Sequence, residues 1–249
     1  MVAPQAWDNA QKRDCGQMEQ KDPAKILKAF LTDKLGVNPV AGHLKINLTD
    51  SALTVEGITE SVALKKKTLL FAMSIDGVDG VVDRLRVKPS KRMSDDEIKV
   101  HVYHSFSSEP TLRGSSIEAE IKDGVIDIEG VVGSLTHKRL AGVLAWWVPG
   151  TMDVINSLEV EPPEQDTDDE IADALKIIFD KDSLIDAGAI KISTRNCVVT
   201  LEGTAKSEAE KDAAEEDAWY TWGVNDVINR INVETLGRHR RLTFGPLKA

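Results

Sequence analysis

Residues 190–233, IKISTRNCVVTLEGTAKSEAEKDAAEEDAWYTWGVNDVINRINV, read as strand, turn, strand, capped helix, glycine turn and strand. Apolar residues alternate at Ile190 and Ile192 and at Val199 and Leu201, which is the period-2 pattern of a half-buried hairpin. The same string stands twice upstream at a fixed interval. Glu202-Gly203 has counterparts in Glu129-Gly130 and Glu56-Gly57, each 73 residues apart. The turn glycines Gly77, Gly150 and Gly223 keep that interval. So do Ser61, Ser134 and Ser207, Lys65, Lys138 and Lys211, Val87, Val160 and Val233, and the hairpin residues Asp50, Asp123 and Asn196. Three copies of one unit therefore fill most of the chain.

The run Ile190-Lys-Ile, Asn196-Cys-Val-Val-Thr-Leu-Glu-Gly203, Ser207-Glu-Ala-Glu-Lys211 and Gly223-Val-Asn-Asp-Val-Ile-Asn-Arg-Ile-Asn-Val233 resembles the BON family, small αββαβ modules of bacterial envelope and osmotic-stress proteins. The resemblance covers three segments from about residue 22 to 236 and is weakest in the first. That family usually places Asn-Gly or Asp-Gly at the hairpin turn. Asp123-Gly124 keeps it, whereas Asp50-Ser51 and Asn196-Cys197 depart. The implied fold class is α+β: three tandem αββαβ modules, each a three-stranded sheet with two helices on one face. The expected division is a flexible leader over 1–21, modules over 22–90, 94–163 and 167–236, and a basic tail over 237–249. The resemblance implies a non-enzymatic binding or scaffolding role on a phospholipid surface or a protein partner, in a stress or envelope setting. Its alternative is a cytoplasmic sensor of potassium or of a small ligand, linked to osmotic stress.

Composition narrows the role from another side. A net charge of −10 and a pI near 5.1 argue against nucleic acid as partner, because such binding draws on clustered Lys and Arg. Basic residues gather locally at Lys65-Lys66-Lys67, over 84–92 and at Arg238-His239-Arg240-Arg241, against an acidic stretch from Glu159 to Asp173. These runs read as solvated faces and linkers. Cys15 and Cys197 are the two cysteines, too few for a disulfide framework. No stretch approaches the roughly 18 apolar residues of a spanning helix, and residues 1–21 lack a signal-peptide pattern. The expected location is the cytoplasm.

Taken in order, Asp22-Pro23 caps the first helix, whose stripe is Ile26, Ala29 and Phe30, and a small insertion is expected before Gly42. Leu44, Ile46 and Leu48 alternate in the first hairpin, and Val81 to Val87 is the third strand. Polar, proline-bearing linkers run into capping boxes at Ser94 with Glu97 and Thr167 with Glu170. In the second unit the helix stripe is Ile98, Val102 and Phe106, Ile117, Ala119 and Ile121 pair with Ile126 and Ile128, and Val154 to Val160 closes the sheet. In the third the helix stripe is Ile171, Leu175 and Phe179.

No catalytic or phosphate-binding motif is present, and neither cofactor nor metal is expected. His101 and His104 lack further ligands around them and read as surface residues flanking Val102. Cys197 reads as a turn substitution, and Asp168, Asp169, Glu170 and Asp173 as the acids a helix start prefers. The aromatics say more. If Ala141, Ala145 and Val148, and likewise Ala214, Ala218 and Thr221, pack the second helix on its sheet, then Trp146, Trp147, Trp219 and Tyr220 lie off that stripe. With Trp222, just before the turn glycine, they form the candidate interface, between modules or toward a partner.

Overall fold

Each hairpin turns through two residues of positive φ: Asp50 and Ser51 at 49° and 65°, Asp123 and Gly124 at 52° and 74°, Asn196 and Cys197 at 52° and 60°. Two left-handed residues in succession make a type I′ turn, whose twist matches the strands it joins. The three turns are thus alike although one alone has glycine. The departures at Ser51 and Cys197 cost local strain and leave the geometry intact.

The computed structural model describes residues 22–37 and 44–234. The expected leader, the basic tail, Cys15 and the insertion before Gly42 lie outside those residues. The first unit runs α1 (Pro23–Leu35), β1 (Lys45–Thr49), β2 (Ala52–Thr59), α2 (Val62–Met73) and β3 (Gly80–Val87). The second runs α3 (Asp95–Ser108), β4 (Ser116–Lys122), β5 (Val125–Val132), α4 (Leu135–Trp146), β6 (Asp153–Asn156) and β7 (Glu159–Val160). The third runs α5 (Asp168–Lys181), β8 (Ile190–Arg195), β9 (Val198–Ala205), α6 (Glu208–Tyr220) and β10 (Asp226–Val233). In every sheet the second strand is central, antiparallel to the first and parallel to the last. The fold is α+β, as the repeat implies.

The repeated Glu-Gly pair has a steric reason. Gly57, Gly130 and Gly203 sit at φ of 146°, 127° and 134°. A Cβ at Gly130 would stand 1.9 Å from the Ser116 carbonyl oxygen, and one at Gly203 2.1 Å from that of Ala189. The neighbouring strand leaves room for hydrogen alone.

Caps and turns are tied together by the first residue of the unit's first helix. The Asp95 carboxylate accepts both amides of its hairpin turn, from Asp123 and Gly124 at 2.9 Å each. Asp168 does the same for Asn196 and Cys197 at 2.7 and 2.8 Å. Ser94 and Glu97 form a complete capping box. Thr167 makes only half of one, accepting from the Glu170 amide.

The structure alters two further expectations. In α1 the buried residues are Ala24, Leu27 and Leu31, with Ile26 and Phe30 partly covered and Ala29 exposed, so the stripe lies one position around the helix. Phe30 stacks instead on Phe71 of α2, 3.7 Å between ring centroids. In the second unit the last strand is broken into β6 and β7: Ser157 still donates to the Ile128 carbonyl, but the Leu158 amide turns to the Asn156 side chain and Leu158 enters the core. The expected pairing of Ala119 with Ile128 and Ile121 with Ile126 is present.

The cores are unequally shared. One continuous apolar cluster runs through the second and third units, from Ile98 and Phe106 to Trp219 and Ile231. The first unit keeps its own, built on Leu27, Leu31, Leu53, Val55, Ala72 and Leu85, and lends only Val62 and Val87 to the larger one. Polar contacts therefore weigh heavily in holding the first unit to the rest.

Candidate functional site

The units meet through their helices: α2 of the first packs on α6 of the third, and α4 of the second packs on α5 and α6. Ala141, Ala145, Val148, Ala214, Ala218 and Thr221 are buried under α4 and α6. The off-stripe aromatics then reach neighbouring units. Trp146 stacks on Tyr220 with ring centroids 5.5 Å apart. Trp147 donates its indole N–H to Asp217 Oδ1 at 2.7 Å. Trp219 is 2% exposed and lies beneath Lys67 of the first unit, whose ammonium is 5.0 Å from the ring. Trp222 alone stays open, 42% exposed, with Lys138 and Arg139 against its face. The five aromatics thus gather where α4 meets α6, with Trp219 buried and Trp146, Trp147 and Tyr220 partly buried.

The lysine run on α2 is no solvated face. Lys65 is buried and reaches Asp153 at 2.6 Å and Asp83 at 2.9 Å, while its ammonium also donates to the Leu85 carbonyl. Arg86 takes the second oxygen of Asp153 at 2.9 Å. One carboxylate of the second unit is therefore clamped by two cations of the first. Lys66 donates to the carbonyls of Thr221 and Val224 in the third unit, at 3.0 and 3.2 Å. Burial of that ammonium lowers its pKa to about 7. Lys67 pairs with Asp226 at 3.5 Å. The solvated reading also fails for part of the acidic stretch: Glu164 accepts the Leu135 amide, and Asp166 pairs with the fully buried Arg139.

Sequence reasoning missed these fasteners because it sought sameness. Their signal lies where the repeats differ: position 66 is Lys, then Arg139, then Asp212, and position 80 is Gly, then Asp153, then Asp226. His101 and His104 are both exposed on α3, and no group of three or more His, Cys, Asp or Glu able to hold a metal occurs among the described residues.

The sheet faces away from the helices remain open. They carry Ile58, Val82, Val131, Ile155 and Ile228, each more than a third exposed, between cross-strand ion pairs such as Lys45 with Glu56 and Arg230 with Glu202. Where the first and second sheets adjoin, the Val87 amide donates to the Met152 carbonyl. There a groove of about 780 Å³ is lined by Ile58, Arg84, Arg86, Glu120, Lys122 and Ile155 among others.

No helix among the described residues is long and apolar enough to cross a membrane. In comparison with known proteins, the chain is 24% identical over 159 residues to osmotically-inducible protein Y of Escherichia coli (strain K12), spanning 61% of this chain and 79% of that protein. Among solved structures it is similar to the C-terminal domain of CdsD, a structural protein of the Type III secretion system of Chlamydia trachomatis. That match has 14% identity and a TM-score of 0.22, over 87% of this chain and 98% of that one. A second structure of CdsD matches with the same identity and TM-score over 84% and 90%. The BON domain model matches residues 94–162 and 167–235, the two units that share one core. With more than half of its length in those two matches, the chain belongs to the BON domain family.

Proposed function

We propose that this chain is a non-enzymatic binding and scaffolding protein for an envelope or osmotic-stress setting, which lays its outward sheet faces on a phospholipid surface or a protein partner. The observation that carries this reading is the division of the molecule. The helices α2, α4, α5 and α6 join the units, while strand faces keep Ile58, Val82, Val131, Ile155 and Ile228 exposed. Apolar side chains rimmed by charged ones are what an interaction surface needs. The likeness to osmotically-inducible protein Y supports the stress setting. The first unit is read here as a third BON module, over residues 22–90, because its element order and sheet order repeat those of the other two. Three-module boundaries near residues 92 and 165 follow from the same reading. The aromatic cluster serves module-to-module packing, and the few cysteines support a cytoplasmic position beside the membrane.

Flotation with anionic and neutral liposomes tests the proposal. The wild type is expected to float with vesicles and a variant with Ile58→Asp and Ile155→Asp to remain in the dense fraction at an unchanged melting temperature. A wild type that floats with neither lipid moves the faces to a protein partner. A cation-dependent thermal shift without flotation favours the potassium-sensor alternative instead.

A further inference from the structure

A second cavity, of about 620 Å³, opens at the junction of all three units, between α2, the α4–β6 region and the turn after α6. Its size falls in the range of small-molecule sites, roughly 300–1,000 Å³. Four large apolar side chains that the fold leaves exposed converge on it: Leu70, Met73, Ile155 and Trp222. Exposed apolar residues scattered over a surface need no explanation, but four lining one cavity do.

The two carboxylates that line this cavity, Asp83 and Asp153, are both already engaged. Lys65 and Lys66 line it with them, and Arg86 reaches Asp153 from outside the lining. Lys65 engages both carboxylates and Arg86 the second, and Lys67, next along the helix, pairs with Asp226. The remaining cation is Lys66. It has no carboxylate within ion-pair distance among the described residues, and its two carbonyl acceptors, Thr221 and Val224, leave one of three N–H donors unused. A half-buried ammonium without a counter-ion is costly. Tyr220, the other titratable group on this wall, has its pKa raised by burial and by Glu216 and Asp217, and it stays neutral.

We infer that this cleft binds a single-chain amphiphile with one anionic head, a long-chain carboxylate, whose head pairs with Lys66 and whose chain lies along Leu69, Leu70, Met73 and Ile155. One unpaired ammonium calls for a monoanion; among the residues that line the cleft a phosphate dianion would find no second unpaired cation. The walls favour an alkyl chain over a polar metabolite, since Asn156, Asn225 and Tyr220 stand among Val62, Leu69, Leu70, Met73, Val154, Ile155 and Val224. This inference shares Ile155 with the outward sheet faces but rests on Lys66, Leu70 and Met73, which the proposed surface role does not use.

The pKa of about 7 at Lys66 sets the expected pH dependence. The anion favours the ammonium form, so binding takes up a proton and weakens as pH rises through that value. Calorimetric titration of the full chain with dodecanoate, dodecanol and acetate, each below its aggregation concentration, reads this directly. One saturable dodecanoate site per chain is expected, weakening between about pH 6 and pH 8, with dodecanol and acetate about tenfold weaker or more. Lys66→Met is expected to remove both the pH dependence and the preference for dodecanoate over dodecanol. Should Lys66→Met fail to fold, Met73→Glu decides, because Met73 is 66% exposed and its replacement sets a carboxylate at the mouth. It is expected to weaken dodecanoate about tenfold and dodecanol much less. Absence of saturable binding, equal binding of dodecanoate and dodecanol, or dodecanoate binding unchanged in the folded variant overturns the assignment.

Discussion

Ser51 holds the second position of a type I′ turn at φ 65°, where the equivalent residue of the second unit is Gly124. A Cβ in the left-handed region costs roughly 1–2 kcal/mol, partly offset by the entropy glycine loses on folding. Ser51→Gly is therefore expected to stabilise the chain by about 0.5–1 kcal/mol, read as a higher urea midpoint at unchanged slope. An equal or lower midpoint would show that the turn is relaxed with serine in place. Cys197 shares the geometry but packs partly against the core, so glycine there would lose contacts as well. At this scale the sequence was legible: Asp50, Asp123 and Asn196 marked all three turns, because Asp and Asn tolerate the left-handed region. The α1 stripe was misplaced by one position because Phe30, the largest apolar residue there, is occupied by stacking on Phe71.

Between elements, α4 and α6 meet over a position that carries Phe71, Leu144 and Asp217 in the three repeats. Asp217 is buried, holds the Trp147 indole N–H and leaves Oδ2 without a partner. Burial raises its pKa to about 8, the Trp147 hydrogen bond opposes the shift, and the charges of Asp182 and Glu216 add to it. The folded value exceeds the unfolded one of about 3.9, so the folded state binds the proton more tightly. Stability from this group is complete below about pH 4 and is lost as pH rises to about 8. Asp217→Asn keeps an acceptor for Trp147 and carries no charge. It should stabilise the chain by roughly 1–3 kcal/mol at pH 8, with the gain shrinking as pH falls toward 4. A gain that is constant across that range would mean that Asp217 does not titrate in the interface. Repeat comparison alone could have flagged this aspartate in a row of apolar residues; its partner could not be read, since Trp147 lies 70 residues away.

For the molecule as a whole, the unequal sharing of cores predicts unequal cooperativity. The second and third units should melt together, and the first should depend on Asp153 held by Lys65 and Arg86. Removing one partner of a buried ion pair costs about 3–5 kcal/mol because the other charge is stranded. Asp153→Ala is expected to split the calorimetric unfolding of the full chain into two transitions, the first unit melting at the lower temperature. A single transition lowered as a whole would show that the three units unfold as one despite the separate core.

By itself the sequence determined the repeat, the αββαβ order, the turns, most caps and most core stripes, because each is written in residues a few positions apart and written three times. Hairpin register, helix starts and the close-approach glycines all obey that local code. Only the tertiary structure decided what the differences between repeats are for. Lys65 and Asp153 are 88 residues apart, and Lys66 and the Thr221 carbonyl 155. No spacing rule links such pairs, since they meet only after three separately specified helix layers dock. A lysine run that is solvated on an isolated helix thus becomes one clamp, one unpaired ammonium in a cleft and one cap over Trp219.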